Sequence, residues 1–166
     1  KNKYLELKNK KNIKDKFEFN SILNIININF QYDKSEKKII ENLNLNILNN
    51  EIIGIFGKTG SGKSTLVDLI SGFIRPKSGK IALGKNDISE DIMLWQRNLG
   101  YVPQTIFLVD QSIKFNIALE NDDAKIDLSK LKKALEAAQL KDFVDGLDLK
   151  EDSIIGEDGS KLSGGQ

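Results

Sequence analysis

The chain has 166 residues, a formal net charge of +1, 39% hydrophobic and 30% charged residues, and neither cysteine nor histidine. That length suits one ordinary domain with a sizeable core, and the mixture is that of a folded protein. The composition excludes disulfides and thiolate metal sites, and the near-zero net charge gives no global reason to expect nucleic acid or acidic partners. No run approaches the roughly 18 consecutive apolar residues of a membrane span, and Lys1–Lys16 is too polar for a signal peptide. The chain as it stands is therefore expected to stay out of the membrane.

Residues 1–20 are mostly Lys, Asn and Glu and read as a solvated linker. A basic nucleic-acid arm is the alternative, diluted by Glu6, Asp15 and Glu18. Ile26, Ile28 and Phe30 then alternate with Asn27 and Asn29, the period of a half-buried strand, and Leu43, Leu45 and Ile47 repeat it. The polar segment Asp33 to Lys38 predicts a turn that pairs the two strands antiparallel, with 79–84 joining the same β layer. The general abundance of Lys, Asn and Ile reads as a base bias of the genome and carries no function.

Ile52-Ile53-Gly54-Ile55-Phe56 is a continuous apolar run, which predicts a strand covered on both faces. Leu66, Val67, Leu69 and Ile70 follow at helical spacing, with Gly72 placed to stop the helix and Pro76 beyond it. Leu99–Val102 predicts another short strand, ending at Pro103-Gln104. From Ser112 the pattern turns helical: Ile113–Leu119, then Leu131–Leu140 with Ser129 as its N-cap, then Asp142–Leu147. Residues 148–161 read as a loop, and there is no internal repeat.

Between the apolar run and the helix lies Gly57-Lys58-Thr59-Gly60-Ser61-Gly62-Lys63-Ser64, which matches G-x-x-x-x-G-K-[ST] in the strand-loop-helix context this motif requires. Its glycines let backbone N–H groups curl around phosphate oxygens, and the helix N-terminus adds partial positive charge. Lys63 supplies a mobile cation for the β and γ phosphates, Ser64 a hydroxyl for Mg²⁺, and Thr65 a reach to a phosphate oxygen one position on. The expected ligands are ATP and Mg²⁺.

The loop alone leaves many nucleotide hydrolases open. Leu162-Ser163-Gly164-Gly165-Gln166, however, resembles the LSGGQ signature of ABC-transporter nucleotide-binding domains, and it follows the phosphate loop in the family's order. The resemblance covers roughly residues 22–166. It implies an α/β fold: a P-loop NTPase, RecA-like core with an antiparallel β layer and a partial helical subdomain. It divides the chain into a linker over 1–20, arriving from a transmembrane domain on the same polypeptide, and an ATP-binding domain over 21–166. Within that domain, 21–110 would be β layer and core, and 111–166 helical subdomain.

The resemblance also assigns roles. Tyr101-Val102-Pro103-Gln104 is similar to the Q-loop, whose glutamine, here Gln104, senses magnesium and the attacking water. Tyr32, in Phe30-Gln31-Tyr32, would stack on adenine. Gly156-Glu157-Asp158-Gly159 is similar to the loop before the signature in exporters, which touches the membrane domains. Ser163, Gly164, Gly165 and Gln166 would act in trans, closing on the nucleotide of a second subunit in a head-to-tail dimer. The parent would work at the cytoplasmic face of a membrane, as an exporter. The wording from Trp95 to Ala118 is most similar to polysaccharide or lipid-linked oligosaccharide flippases.

The family's Walker B aspartate, catalytic glutamate and switch histidine lie after the signature, so this chain is expected to bind ATP weakly and to turn it over poorly. With the signature helix cut at Gln166, no ATP-driven dimer is expected of it. Two other readings stay open on the residues alone. In a soluble P-loop kinase or GTPase, Ile106-Phe107-Leu108-Val109-Asp110 would be the Walker B run and Asp110 the magnesium ligand. In a non-transport ABC ATPase the helical region would carry long insertions. No guanine-reading Asn-Lys-x-Asp segment is present, and no such insertion.

Overall fold

The structure is a computed structural model that describes Phe17, residues 20–33 and 35–156, Leu162, Ser163 and Gly165. The chain forms two compact units that divide between Tyr101 and Val102.

The first unit is built on an antiparallel sheet in the order β2-β1-β3-β4, where β1 is Leu23–Gln31, β2 Lys38–Ile47, β3 Ser78–Leu83 and β4 Asn86–Asp87. The polar turn after β1 pairs it with β2 as expected, from Leu23 opposite Ile47 to Gln31 opposite Lys38. The alternation is more complex than the sequence pattern suggested. Leu23 and Ile25 are buried, then Ile28 and Phe30, so Ile26 loses the inward place its spacing predicted. The cause is a register shift around Asn27, whose φ of 49° inserts an extra residue and flips the parity of the strand.

Asparagine suits this bulge, because it tolerates left-handed backbone and can repair the broken ladder. The Asn27 amide donates to Asn44 Oδ1 (2.9 Å), and the Asn42 amide, on the facing bulge at φ 45°, donates to Asn29 Oδ1 (3.0 Å). Some of the chain's asparagines thus carry backbone work that composition alone does not reveal.

Helix α1 (Lys63–Ile70), a single-turn helix at Ile88–Asp91 and helix α2 (Ile92–Arg97) belong to the same unit. Gly72, at φ 72°, ends the first helix where the sequence placed a stop. Trp95 Nε1 donates to Ile70 O (2.8 Å), and Gln96 Nε2 donates to the carbonyls of Ser71 and Gly72, so α2 satisfies acceptors that the end of α1 leaves over. The core joins Leu23, Ile25, Ile28 and Phe30 to Ile81 and Leu83 of β3, Leu69 of α1 and Trp95. Phe17 is buried in it too, its ring edge-on to Trp95 at 6.1 Å. A fully buried Ile, Leu or Phe side chain contributes about 1.5–3 kcal/mol.

Two expected strands are not formed. Ile52 and Phe56 are 99% and 93% exposed, and neither 52–56 nor 99–102 belongs to a strand. A strand apolar on both faces is held by paired neighbours and by cover above and below. Among the described residues no strand pairs with either run, and the first unit's sheet reaches its edges at β2 and β4 without them.

The second unit is helical: α3 (Ile113–Ala118), α4 (Leu128–Ala137) and α5 (Lys141–Asp145), with single-turn helices at Asp123–Lys125 between α3 and α4 and at Lys150–Asp152 after α5. Ser112 caps α3 by accepting from the Phe115 amide. The cap of α4 is Asp127, which accepts from Ser129 N and Lys130 N, so the serine expected as N-cap lies inside the first turn. Asp127 holds the extended backbone a cap needs, and its carboxylate also complements the helix dipole. Helix α4 stops before Leu140 because Gln139 turns left-handed, at φ 58°.

Ile113, Ile126, Leu131, Leu135, Val144 and Ile155 form this unit's core. Lys114 bridges Asp123 (2.7 Å) and Asp152 (2.5 Å), and these hydrogen-bonded carboxylates push its ammonium up to about 12. The Ile113 amide donates to Ser153 O and the Ile155 amide to Gln111 O, pairing the start of α3 with the segment beyond the last short helix.

Candidate nucleotide-binding site

The glycine loop closes on the start of α1 through its own backbone: the Ser61 amide donates to Lys58 O (3.1 Å), and Lys63 Nζ reaches back to the carbonyls of Gly57 and Lys58 (2.9 Å each). The ammonium is thereby folded over the loop, within the turn it would have to serve. The N-cap of α1 is Gly62, which has no side chain to satisfy the first helical amides, and the first turn holds no acidic residue. Positive helix-end potential, orphan N–H groups and a lysine are gathered at one place, a donor set that fits a phosphate chain.

Space and dihedral angle both bear on the loop's glycines, and they act together at Gly62. A Cβ on Gly57 would meet Ser61 Oγ at 2.6 Å. Gly62 sits at φ 92°, and a Cβ there would meet the Ile39 Cγ2 methyl at 2.8 Å. Strand β2 therefore packs against the loop's last glycine and holds it against the sheet. Thr59 and Gly60 form the exposed tip of the loop.

Around the loop, Ser64 is exposed and Thr65 is buried. The Tyr32 hydroxyl lies 3.0 Å from Thr65 Oγ1, and the Tyr32 ring stands edge-on to Phe30 at 4.9 Å. The structure thus brings the expected adenine-side aromatic to the phosphate-loop helix, through a hydrogen bond between residues 33 apart in the chain that no local pattern reveals. No group of three or more acidic, histidine or cysteine residues able to hold a metal occurs among the described residues. A magnesium ion would be held mainly by phosphate oxygens and water with the Ser64 hydroxyl, which is how this hard, strongly hydrated cation is usually bound.

Gln104 belongs to the second unit and is exposed. Asp110 is exposed as well, and 106–110 forms no strand, so nothing favours it as a Walker B magnesium ligand. Instead Asn116 fixes this loop: its Oδ1 accepts from Val109 N (2.9 Å), and its Nδ2 donates to Val109 O (2.9 Å) and Ser112 O (3.0 Å). Sequence reasoning missed Asn116 because a side chain that imitates a paired strand leaves no periodic trace. Of the signature, Leu162 packs on the second core and Ser163 and Gly165 are exposed. Gly164 and Gln166 lie outside the described residues, as do Glu157, Asp158 and Gly159 of the preceding loop.

The sheet, the glycine loop and the uncapped helix behind it define an α/β protein of the P-loop NTPase class. The chain belongs to the ABC transporter family, whose model matches residues 40–166. It is 39% identical over 142 residues to the ATP-dependent lipid A-core flippase of Ralstonia nicotianae, covering 84% of this chain and 24% of that protein. It is 39% identical over 150 residues to the alpha-hemolysin translocation ATP-binding protein HlyB of Proteus vulgaris, covering 90% of this chain and 21% of that one. Among solved structures, a bacterial Atm1-family ABC exporter with ATP bound superposes with a TM-score of 0.72 at 31% identity, over 88% of this chain and 25% of that one. These relatives are of exporter type, and the chain spans about a quarter of their length.

Proposed function

We propose that this chain is the ATP-binding part of an ABC exporter that uses ATP binding and hydrolysis to drive export or lipid flipping across a membrane. The observation that carries the reading is the glycine loop with the Lys63 ammonium folded over it, at a helix start with neither cap nor acid. Gly57, Lys58, Thr59, Gly60, Ser61 and Gly62 would wrap the phosphates with backbone amides while Lys63 neutralises their charge. Thr65 would add a hydroxyl from the helix. Ser64 would hold magnesium, whose chemistry is to neutralise charge on the transferring phosphoryl group, and Gln104 keeps the magnesium-sensing role that the family resemblance assigns to it.

Tyr32 would carry the adenine. Ser163, Gly164, Gly165 and Gln166 would complete the site of a second subunit in a head-to-tail dimer. Residues 1–20 would lead from a transmembrane domain, 21–110 would hold the nucleotide and 111–166 would form the helical part, at the cytoplasmic face of the membrane. The kinship with a lipid A-core flippase supports a lipid-linked substrate for the whole protein. Binding without rapid turnover is expected of the chain itself. It has no histidine, and its one Walker-B-like aspartate, Asp110, is exposed and off any strand.

Calorimetric titration with Mg-ATP and Mg-GTP tests this reading. ATP should bind in preference to GTP, and Lys63→Ala should weaken ATP binding at least tenfold. Equal affinity for GTP, or an unaltered titration in Lys63→Ala, would refute it.

A further inference from the structure

Stacking on a base uses only the ring of Tyr32, yet the phenol hydroxyl is the part of that side chain with a fixed partner. Tyr32 O–H and Thr65 Oγ1 are 3.0 Å apart, and Thr65 is 7% exposed while Tyr32 is 46% exposed. The residue is held from behind. Its ring meets Phe30, itself buried, nearly perpendicular at 87°. Its carbonyl accepts from the Ser35 amide (3.0 Å), and Gln31 Nε2 donates to Ser35 O, closing the turn around it. Thr65 is the third residue of α1, beside the Lys63 and Ser64 that the phosphate reading employs.

We infer that Tyr32 is a positioning residue for the phosphates in addition to any contact with the base: its hydroxyl orients the Thr65 hydroxyl toward a bound polyphosphate. This rests on the nucleotide-binding reading above. A threonine hydroxyl has one hydrogen to give and two lone pairs to receive. A phenol is more acidic than an aliphatic alcohol and is the better donor of the two. When Tyr32 donates to Thr65 Oγ1, the threonine's own hydrogen is directed elsewhere, and donation into its oxygen strengthens the bond it then gives. A single side chain at the end of β1 thus joins the base end of the site to the phosphate end.

The test separates ring from hydroxyl and base from phosphate. Calorimetry with Mg-ATP and with Mg-tripolyphosphate, which has no base to stack, is run on the 166-residue chain and on Tyr32→Phe, Thr65→Val, Thr65→Ser and the Tyr32→Phe/Thr65→Val double variant. Losing one oriented hydrogen bond should weaken both ligands by about three- to tenfold in Tyr32→Phe. Thr65→Ser should bind as the unaltered chain does. Tyr32→Phe should add nothing further on the Thr65→Val background, a result that general loosening of the fold would not produce. If Thr65→Val does not fold, Tyr32→Phe and Thr65→Ser decide between them.

Tripolyphosphate affinity unchanged in Tyr32→Phe, or losses that add in the double variant, would overturn the inference and leave the nucleotide reading standing. An unaltered chain that binds neither ligand would remove both.

Discussion

Replacing Gly62 by alanine tests whether the phosphate loop is held in place by strand β2. Two separate costs fall on this position. At φ 92° an alanine adopts left-handed backbone, worth about 1–2 kcal/mol. Its Cβ would also lie 2.8 Å from the Ile39 methyl and 3.4 Å from Ile39 O, and overpacking of that kind costs about 1–3 kcal/mol. Gly60 is the internal control: it too has positive φ, at 78°, but a Cβ there meets nothing within 4 Å, so only the backbone cost applies. Gly62→Ala should therefore be destabilised by about 2–5 kcal/mol and Gly60→Ala by about 1–2 kcal/mol.

Urea unfolding followed by tryptophan fluorescence measures this directly. The chain's single tryptophan, Trp95, is 4% exposed and lies in the core of the same unit. With a slope of about 1–3 kcal/mol per molar urea, the two variants should differ in midpoint by roughly 1 M. Ile39→Ala should relieve part of the Gly62→Ala deficit in a double-mutant cycle and none of the Gly60→Ala deficit. Equal midpoints for the two glycine variants would refute the contact with β2, and strictly additive losses with Ile39→Ala would do the same.

Other consequences can be checked independently. Trp95→Phe removes the donor to Ile70 O and should cost about 1–3 kcal/mol, read as a lower urea midpoint by circular dichroism. Asn116→Ala breaks three hydrogen bonds to Val109 and Ser112, and hydrogen exchange at the Val109 amide should quicken while the helix α4 amides keep their protection. Lys114 has its folded-state pKa raised to about 12 from 10.5, so its contribution is complete below about 10.5 and fades as pH rises through 12. The stability gap between the unaltered chain and Lys114→Gln should hold constant near neutrality and narrow in that alkaline window. Asp33 and Asp145, lowered by Lys77 and Lys141, carry the opposite sign: their contributions persist above the ordinary carboxylate value of 3.8 and are lost as pH falls below it. A Lys77→Gln variant should match the unaltered chain more closely in acid than at neutral pH.

Local chemistry made much of this protein legible in the sequence. The phosphate loop is a contiguous string whose residue types follow from what a phosphate needs, and the helix behind it ends where Gly72 was placed to stop it. The antiparallel pairing across Asp33–Lys38 and the buried faces of α3 and α4 also follow from short-range periodicity. The class of protein was carried by two such strings, the loop at Gly57–Ser64 and the signature beginning at Leu162. Short-range pattern failed where a partner decides the outcome. Ile52–Phe56 has the composition of a buried strand, but a strand needs neighbours to pair with, and the described residues offer it none.

Tertiary structure also settled matters of a single residue or atom. The extra residue at Asn27 reverses which isoleucines face the core, a parity that alternation cannot fix once a bulge is allowed. Asp127 takes the cap that Ser129 was expected to hold, because the helix begins at Leu128, two residues earlier than a serine cap allows. Contacts across long stretches of chain were invisible beforehand: Ile39 against Gly62, and the Tyr32 hydroxyl against Thr65. A sequence records which groups are available and how they repeat. Which oxygen meets which methyl depends on the folded path between them, and that path sets the last glycine of the loop against Ile39 of β2 and makes Tyr32 a neighbour of the phosphate helix.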